Sequence, residues 1–108
     1  MKLRSTQVIV NDDGDIIMGN GRMQILASIN KTGSINKTAK EMNMSYKTAW
    51  SKIQTTEKNF GIPVVHADKK TGTRLTLDGQ QLLEKFRQLK KSCIQADDLI
   101  FENLFSHR

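Results

Sequence analysis

Lys47, Thr48, Ser51 and Lys52 recur at a spacing that would hold them on one side of a helix. Their chemistry suits the edge of a base pair. A lysine ammonium can donate to guanine O6 and N7, and a threonine methyl can meet the methyl of thymine. A second set, Ser34, Lys37, Lys69, Lys70, Thr73 and Arg74, is of the types that hold phosphate oxygens. Ser45 and Tyr46 stand just before these groove candidates, where helix-start amides also favour an anion. Tyr46 either reaches a phosphate or packs under the turn. Catalytic chemistry finds no comparable set. There is no glycine-rich phosphate loop, no paired histidines, and no serine or cysteine placed beside a histidine. One cysteine, Cys93, with two distant histidines, His66 and His107, offers no structural zinc site. The reading is of a binding protein rather than an enzyme, with no cofactor.

These side chains need two short helices to carry them, and the stretch Gly33–Phe60 supplies both. Ser34 follows a glycine and reads as an N-cap for a helix to about Met42, with Ile35, Ala39 and Met42 on one face. Ser45 reads as the next N-cap, for a helix with Ala49, Ile53 and Phe60 inward and Trp50 at the edge of that face. Between them Asn43 falls where the turn needs a positive φ, which asparagine tolerates well. Ala39 and Ala49 would let the helices cross closely. This is a helix-turn-helix pattern.

Charge concentrates on the same region. The chain carries a net charge of +6 over 108 residues. Between Lys31 and Arg74 nine basic residues face three acidic ones, while the remainder balances. Excess positive charge on one motif favours a polyanion, most simply double-stranded DNA. RNA fits less well, because aromatic residues free to stack on bases are scarce. The length allows one domain, and the apolar fraction of 37% suggests that some segment finds its burial on a partner. No apolar run approaches a membrane span, and a lone cysteine fits a reducing cytoplasm.

Around the helix pair, Val8-Ile9-Val10, a turn at Asn11–Gly14, and Ile16-Ile17-Met18 predict a short β-hairpin. A supporting helix is expected from about Arg22 to Lys31, closed by Gly33. After Pro63, Val64–His66 and Arg74–Leu77 predict a second hairpin whose turn carries Lys69 and Lys70. His66 reads as a strand residue rather than a ligand. A basic hairpin directly after a helix-turn-helix is the layout of a winged helix. The last helix starts near Thr76, with Asp78 in its first turn, and would run to about Phe105, roughly 40 Å. Leu82, Phe86, Leu89, Cys93, Ala96, Ile100 and Leu104 recur on it as a coiled-coil seam; a monomer could cover the first half with its own core, while the second half needs another surface. The expected fold is mainly α with small β-hairpins. A winged helix-turn-helix over residues 1–77 continues into a long dimerisation helix over 78–108.

The run GRMQILASINKTGSINKTAKEMNMSYKTAWSKIQTTEKNFGIPVV, followed by RLTLDG, resembles the N-terminal DNA-binding domain of the molybdate-responsive (ModE-type) transcriptional regulators. Gly33-Ser34-Ile35, Met44–Trp50 and Leu75-Thr76 with Gly79 are its most specific parts, and the likeness covers roughly residues 3 to 90. More distantly, the helix pair, wing and long helix look like the DNA-binding half of LysR-type regulators. The resemblance implies a DNA-binding transcriptional regulator; the apolar seam of the last helix predicts a homodimer, and a two-fold dimer would read an inverted-repeat site. The chain ends at Arg108 without the family's molybdate-binding domains, so no molybdate site is expected in it. Its wing, Asp68–Thr73, is shorter and poorer in glycine than the family's. The alternative is a winged-helix protein-interaction module that uses the apolar last helix.

Overall fold

The computed structural model describes residues 1–106. His107 and the last residue of the expected 78–108 helix lie outside them. Strands β1 (Ile9–Val10) and β2 (Ile16–Met18) form an antiparallel hairpin. Helices α1 (Asn20–Thr32), α2 (Ile35–Glu41) and α3 (Tyr46–Phe60) follow. Strands β3 (Val65–Asp68) and β4 (Gly72–Leu75) form the second antiparallel hairpin, and α4 (Leu77–Phe105) completes the chain. This is a winged helix-turn-helix with a long C-terminal helix.

Helix α1 starts two residues before the expected Arg22. Extended Gly19 precedes it and its carbonyl accepts the Met23 N–H at 2.9 Å, so Asn20 and Gly21 already lie in the helix. The core gathers one stripe from each helix: Ile25, Leu26 and Ile29 from α1, Ile35 and Ala39 from α2, Ala49 and Ile53 from α3, Leu83 and Phe86 from α4. Ala39 and Ala49 are buried at 3% and 0% exposure, as the close crossing of α2 on α3 requires. The first hairpin is tied to α3 by polar contacts. Asn59 Nδ2 donates to the Ile16 carbonyl at 2.8 Å, and Asn11 Nδ2 donates to the Asn59 carbonyl at 3.2 Å.

The second hairpin sits one or two residues away from its expected bounds, because Val64 and Thr76 have other partners. The Val64 N–H donates to Glu57 Oε2 at 2.8 Å, and its carbonyl accepts the Thr76 N–H at 2.9 Å. Thr76 then leaves the strand to cap α4, its hydroxyl accepting the Gly79 N–H at 3.0 Å and donating to the Pro63 carbonyl at 2.8 Å. Leu77 is therefore the first helical residue and is 70% exposed, not the end of a strand.

At 29 residues, α4 is about 43 Å long and outruns the body it packs on. The expected seam divides on it. Phe86 is 1% exposed inside the domain's own core, so it anchors α4 and faces no partner. Leu82 and Cys93 are half-buried, whereas Leu89, Ala96, Ile100 and Leu104 are exposed. Leu99 and Phe105 widen that outward face, and the Phe101 and Phe105 rings stack at 5.0 Å. The reason is rotation: a helix with 3.6 residues per turn drifts across a strict seven-residue repeat, so one stripe cannot face the core and a partner throughout.

Candidate nucleic-acid interface

The helix pair is set by its caps and its turn. Ser34 Oγ accepts the Lys37 N–H at 3.1 Å at the start of α2. Ser45 Oγ accepts the Thr48 N–H at 3.1 Å at the start of α3 and donates to Thr48 Oγ1 at 2.9 Å. Asn43 takes φ 54° between the helices, and the Met44 N–H reaches back to the Ala39 carbonyl at 3.0 Å. Caps of this kind are worth about 1 kcal/mol each. The second one also fixes the Thr48 hydroxyl beside the α3 N-terminus.

On α3 the buried side is Ala49, Ile53 and Thr56. Lys47 and Ser51 lie opposite and are exposed, as expected. Two further exposed residues share their stripe at helical spacing, Gln54 and Lys58. Their signal in the sequence is the step of three and then four residues from Ser51; with Thr56 rather than Phe60 buried beside Ala49 and Ile53, the outward stripe turns away from Lys52 and towards them. Trp50 is half-buried against the core, as expected of an edge residue, and Tyr46 is 49% exposed.

Lys52 departs from expectation. It is half-buried on the flank of α3 that meets the first hairpin and lines a cavity there with Ile16 and Arg22. It does not stand with Lys47 and Ser51 on the outward stripe.

The wing joins the helix pair directly. The Thr73 N–H donates to the Gly33 carbonyl at 3.0 Å, which brings β4 against the residue just before the Ser34 cap. Gly72 makes this approach possible, since a Cβ there would stand 2.6 Å from the Gly33 oxygen. Thr73 is consequently 8% exposed, and its position corrects the expectation of a phosphate contact: it is a packing residue. Lys69, Lys70 and Arg74 are exposed, Arg74 opposite His66 across the hairpin. Ser34 is half-buried and Lys37 exposed at the start of α2.

All three acids between Lys31 and Arg74 are held by the fold. Glu41 accepts from Ser28 Oγ at 2.8 Å and pairs with Lys31 at 3.4 Å, and the Ser28 bond in particular holds its carboxyl below the ordinary range. Glu57 Oε2 accepts both the Val64 and Val65 amides, at 2.8 and 3.2 Å, and so tethers the wing to the end of α3. Nothing in the composition pointed to this role for Glu57. Asp68 Oδ1 accepts the Lys70 N–H at 2.7 Å; this bond, then one from Thr71, lowers the Asp68 carboxyl below its usual value.

That shift predicts how the wing answers to acid. A depressed carboxyl contributes stability that is complete above the ordinary aspartate range, about pH 4, and is lost as pH falls through the lower folded value. The Lys70 and Thr71 amides are expected to keep their shifts from pH 7 down to about pH 4 and to move together as the pH falls further. NMR titration reads this directly. Amides that titrate no differently in an Asp68→Ala variant would count against the bond.

Among the described residues, no group of three or more His, Cys, Asp or Glu side chains could hold a metal ion, and no helix is long and apolar enough to cross a membrane.

Comparison with known proteins fits this geometry. The family described as bacterial regulatory helix-turn-helix protein, lysR family, matches residues 21–80. The molybdenum-pterin-binding protein MopB of Rhodobacter capsulatus is 37% identical over 73 residues, covering 64% of this chain and 27% of MopB. The molybdenum transport protein ModE of Azotobacter vinelandii is 30% identical over 99 residues, 88% of this chain and 37% of that protein. The chain thus spans about a third of the length of these curated relatives. In three dimensions it resembles the protein in the crystal structure of the CbnR_DBD–DNA complex, with a TM-score of 0.65 over 81% of this chain and 99% of that one. At 18% identity that likeness speaks for the fold.

Proposed function

The chain belongs to the bacterial regulatory helix-turn-helix proteins of the LysR family, and on that premise we propose that it is a sequence-specific, double-stranded DNA-binding transcriptional regulator. Helix α3 lies in the major groove with its outward stripe, Lys47, Ser51 and Gln54, towards the bases, and Thr48 at its N-terminal end. Ser45 and Tyr46 stand at the helix start beside the backbone. Phosphates are held by the start of α2, with Ser34 and Lys37, and by Lys69, Lys70 and Arg74 of the wing. The exposed face of α4 closes a homodimer, which reads an inverted repeat with half-sites about one or two helical turns apart. Its site of action is then the cytoplasm, where the DNA is. ModE and MopB are named for molybdenum.

The observation that carries this reading is the placement of charge. Excess lysine and arginine surround an exposed polar stripe on α3, while the three acids of the same region are bonded within the fold. Three to four phosphates neutralised per subunit would give a log–log salt slope of about −6 for a dimer. Fluorescence anisotropy on a selected duplex at several salt concentrations measures it, and a slope near −1 would reject this mode of binding. Gln54→Ala is expected to cost about 1–3 kcal/mol and to relax preference at one base position, whereas Lys70→Ala should weaken all duplexes alike. Binding-site selection with each variant separates the two. One observation favours a second reading, a protein-interaction module: the Leu99, Ile100, Leu104 and Phe105 face would suit a different protein as well as a second copy.

A further inference from the structure

A cavity of about 220 Å³ lies between the first hairpin, the start of α1 and the turn of the helix pair. Its apolar walls are Val8, Ile16, Ile25, Met42 and Met44, and its charged groups are Arg22 and Lys52, with no carboxylate among the lining. Val8 and Ile16 are 54% and 46% exposed, so the space opens to solvent past apolar side chains. An engineered cavity of about 150 Å³ with an apolar lining takes up benzene, so this one has room for roughly eight or nine heavy atoms.

The two cations differ. Arg22 Nη1 donates to the Ile16 carbonyl and to Thr56 Oγ1, both at 3.2 Å, which commits it to holding the hairpin on α3. Lys52 makes no ion pair among the described residues and is half-buried. A half-buried lysine that lines an apolar space and has no ion-pair partner among the described residues offers a place for one negative charge. Met42 and Met44 flank Asn43 in the turn between α2 and α3, and methionine adapts its shape readily to what it packs on.

We infer that this cavity takes a small monocarboxylate with a compact apolar body, its carboxylate on Lys52 and its body against Met42 and Met44. The consequence for DNA rests on the function proposed above. Lys52 stands one helical turn after Thr48 on α3, so a carboxylate on it removes one positive charge beside the groove-facing stripe. The ligand is therefore a regulator of DNA affinity.

Hexanoate, with eight heavy atoms, serves as the probe, and 1-hexanol and hexylammonium as its neutral and cationic counterparts. In protein with ¹³C-methyl methionine and no DNA present, hexanoate is expected to shift the Met42 and Met44 methyl resonances saturably at millimolar concentration. Hexanol should bind about fivefold more weakly, as should hexanoate to Lys52→Met, this being the scale of a part-exposed ion pair. Val8→Trp fills the mouth of the cavity and should abolish the shifts, while its DNA binding without hexanoate stays as in the parent. Equal binding of hexanol and hexanoate, unchanged binding to Val8→Trp, or shifts confined to the Met1 methyl, which lies beside Phe101 of α4, would each overturn the site. With DNA, saturating hexanoate should weaken the parent severalfold and leave Val8→Trp unaffected. Methionine shifts without any change in DNA affinity would overturn the regulatory half. A parent that binds no duplex at all would refute the proposed function while the methyl titration still decides the cavity.

Discussion

Replacing Gly79 with alanine is expected to destabilise the domain by about 3 kcal/mol, enough to consume a large part of a small domain's stability. Gly79 lies in the first turn of α4 and is buried against the backbone of Val64. A Cβ there would fall inside contact distance of the Val64 carbonyl oxygen, carbonyl carbon and Cα together. No side chain can rotate away, because every atom in the way is main chain. The same carbonyl accepts the Thr76 N–H, and Thr76 caps α4, so backing off would strain the helix cap and the Pro63 contact too. Gly21→Ala is the matching control. Gly21 also sits in a helix, but nothing lies within 4 Å of a Cβ added there. It should be neutral or gain a few tenths to about 1 kcal/mol from reduced chain entropy. Urea unfolding of both variants compares them, and a Gly79→Ala midpoint close to the parent's would show that α4 docks less tightly than this.

The other large effect is expected at the far end of α4. Ile100→Asp places a charge on the outward face, at a residue 57% exposed and remote from the core, so the monomer's fold should be untouched. A dimer that buries Ile100 cannot accept the charge without partner or solvent. Loss of the second subunit removes simultaneous engagement of two half-sites, which is worth about a hundredfold or more in affinity. Analytical ultracentrifugation should report a monomer with parent-like circular dichroism, and anisotropy a shallower salt slope as well as weaker binding. A variant that stays dimeric would move the interface elsewhere; one that turns monomeric yet binds as tightly would remove the dimer from DNA recognition.

Much of this architecture was legible in the sequence because it rests on local rules. Ser34, Ser45 and Thr76 cap the helices in the way their residue types allow, and Asn43 takes the one positive φ outside glycine among the described residues. What was hidden depends on contacts between segments distant in the chain. Thr73 has the composition of a phosphate ligand, but the Gly33 carbonyl draws its strand inward. Lys52 has the composition of a base reader, but the first hairpin lies beside it. Glu57 looks like an ordinary surface acid and proves to hold the wing through two amides. In each case the residue's neighbours in space, rather than its type, decide its role.

Helix α4 also acts as a ruler. In a dimer closed along its outward face, the distance and rotation between the two α3 helices are set by the rise and helical phase between Phe86, fixed in the core, and the exposed seam residues beyond it, Leu89, Ala96, Ile100 and Leu104. One residue inserted after Phe86 would advance the face by about 1.5 Å and swing it through about 100°. Seven inserted residues would shift it by roughly 10 Å and nearly restore its direction. The preferred gap between half-sites is thus written in helical phase, and a chain with an altered α4 length should select operators with altered spacing while reading the same bases.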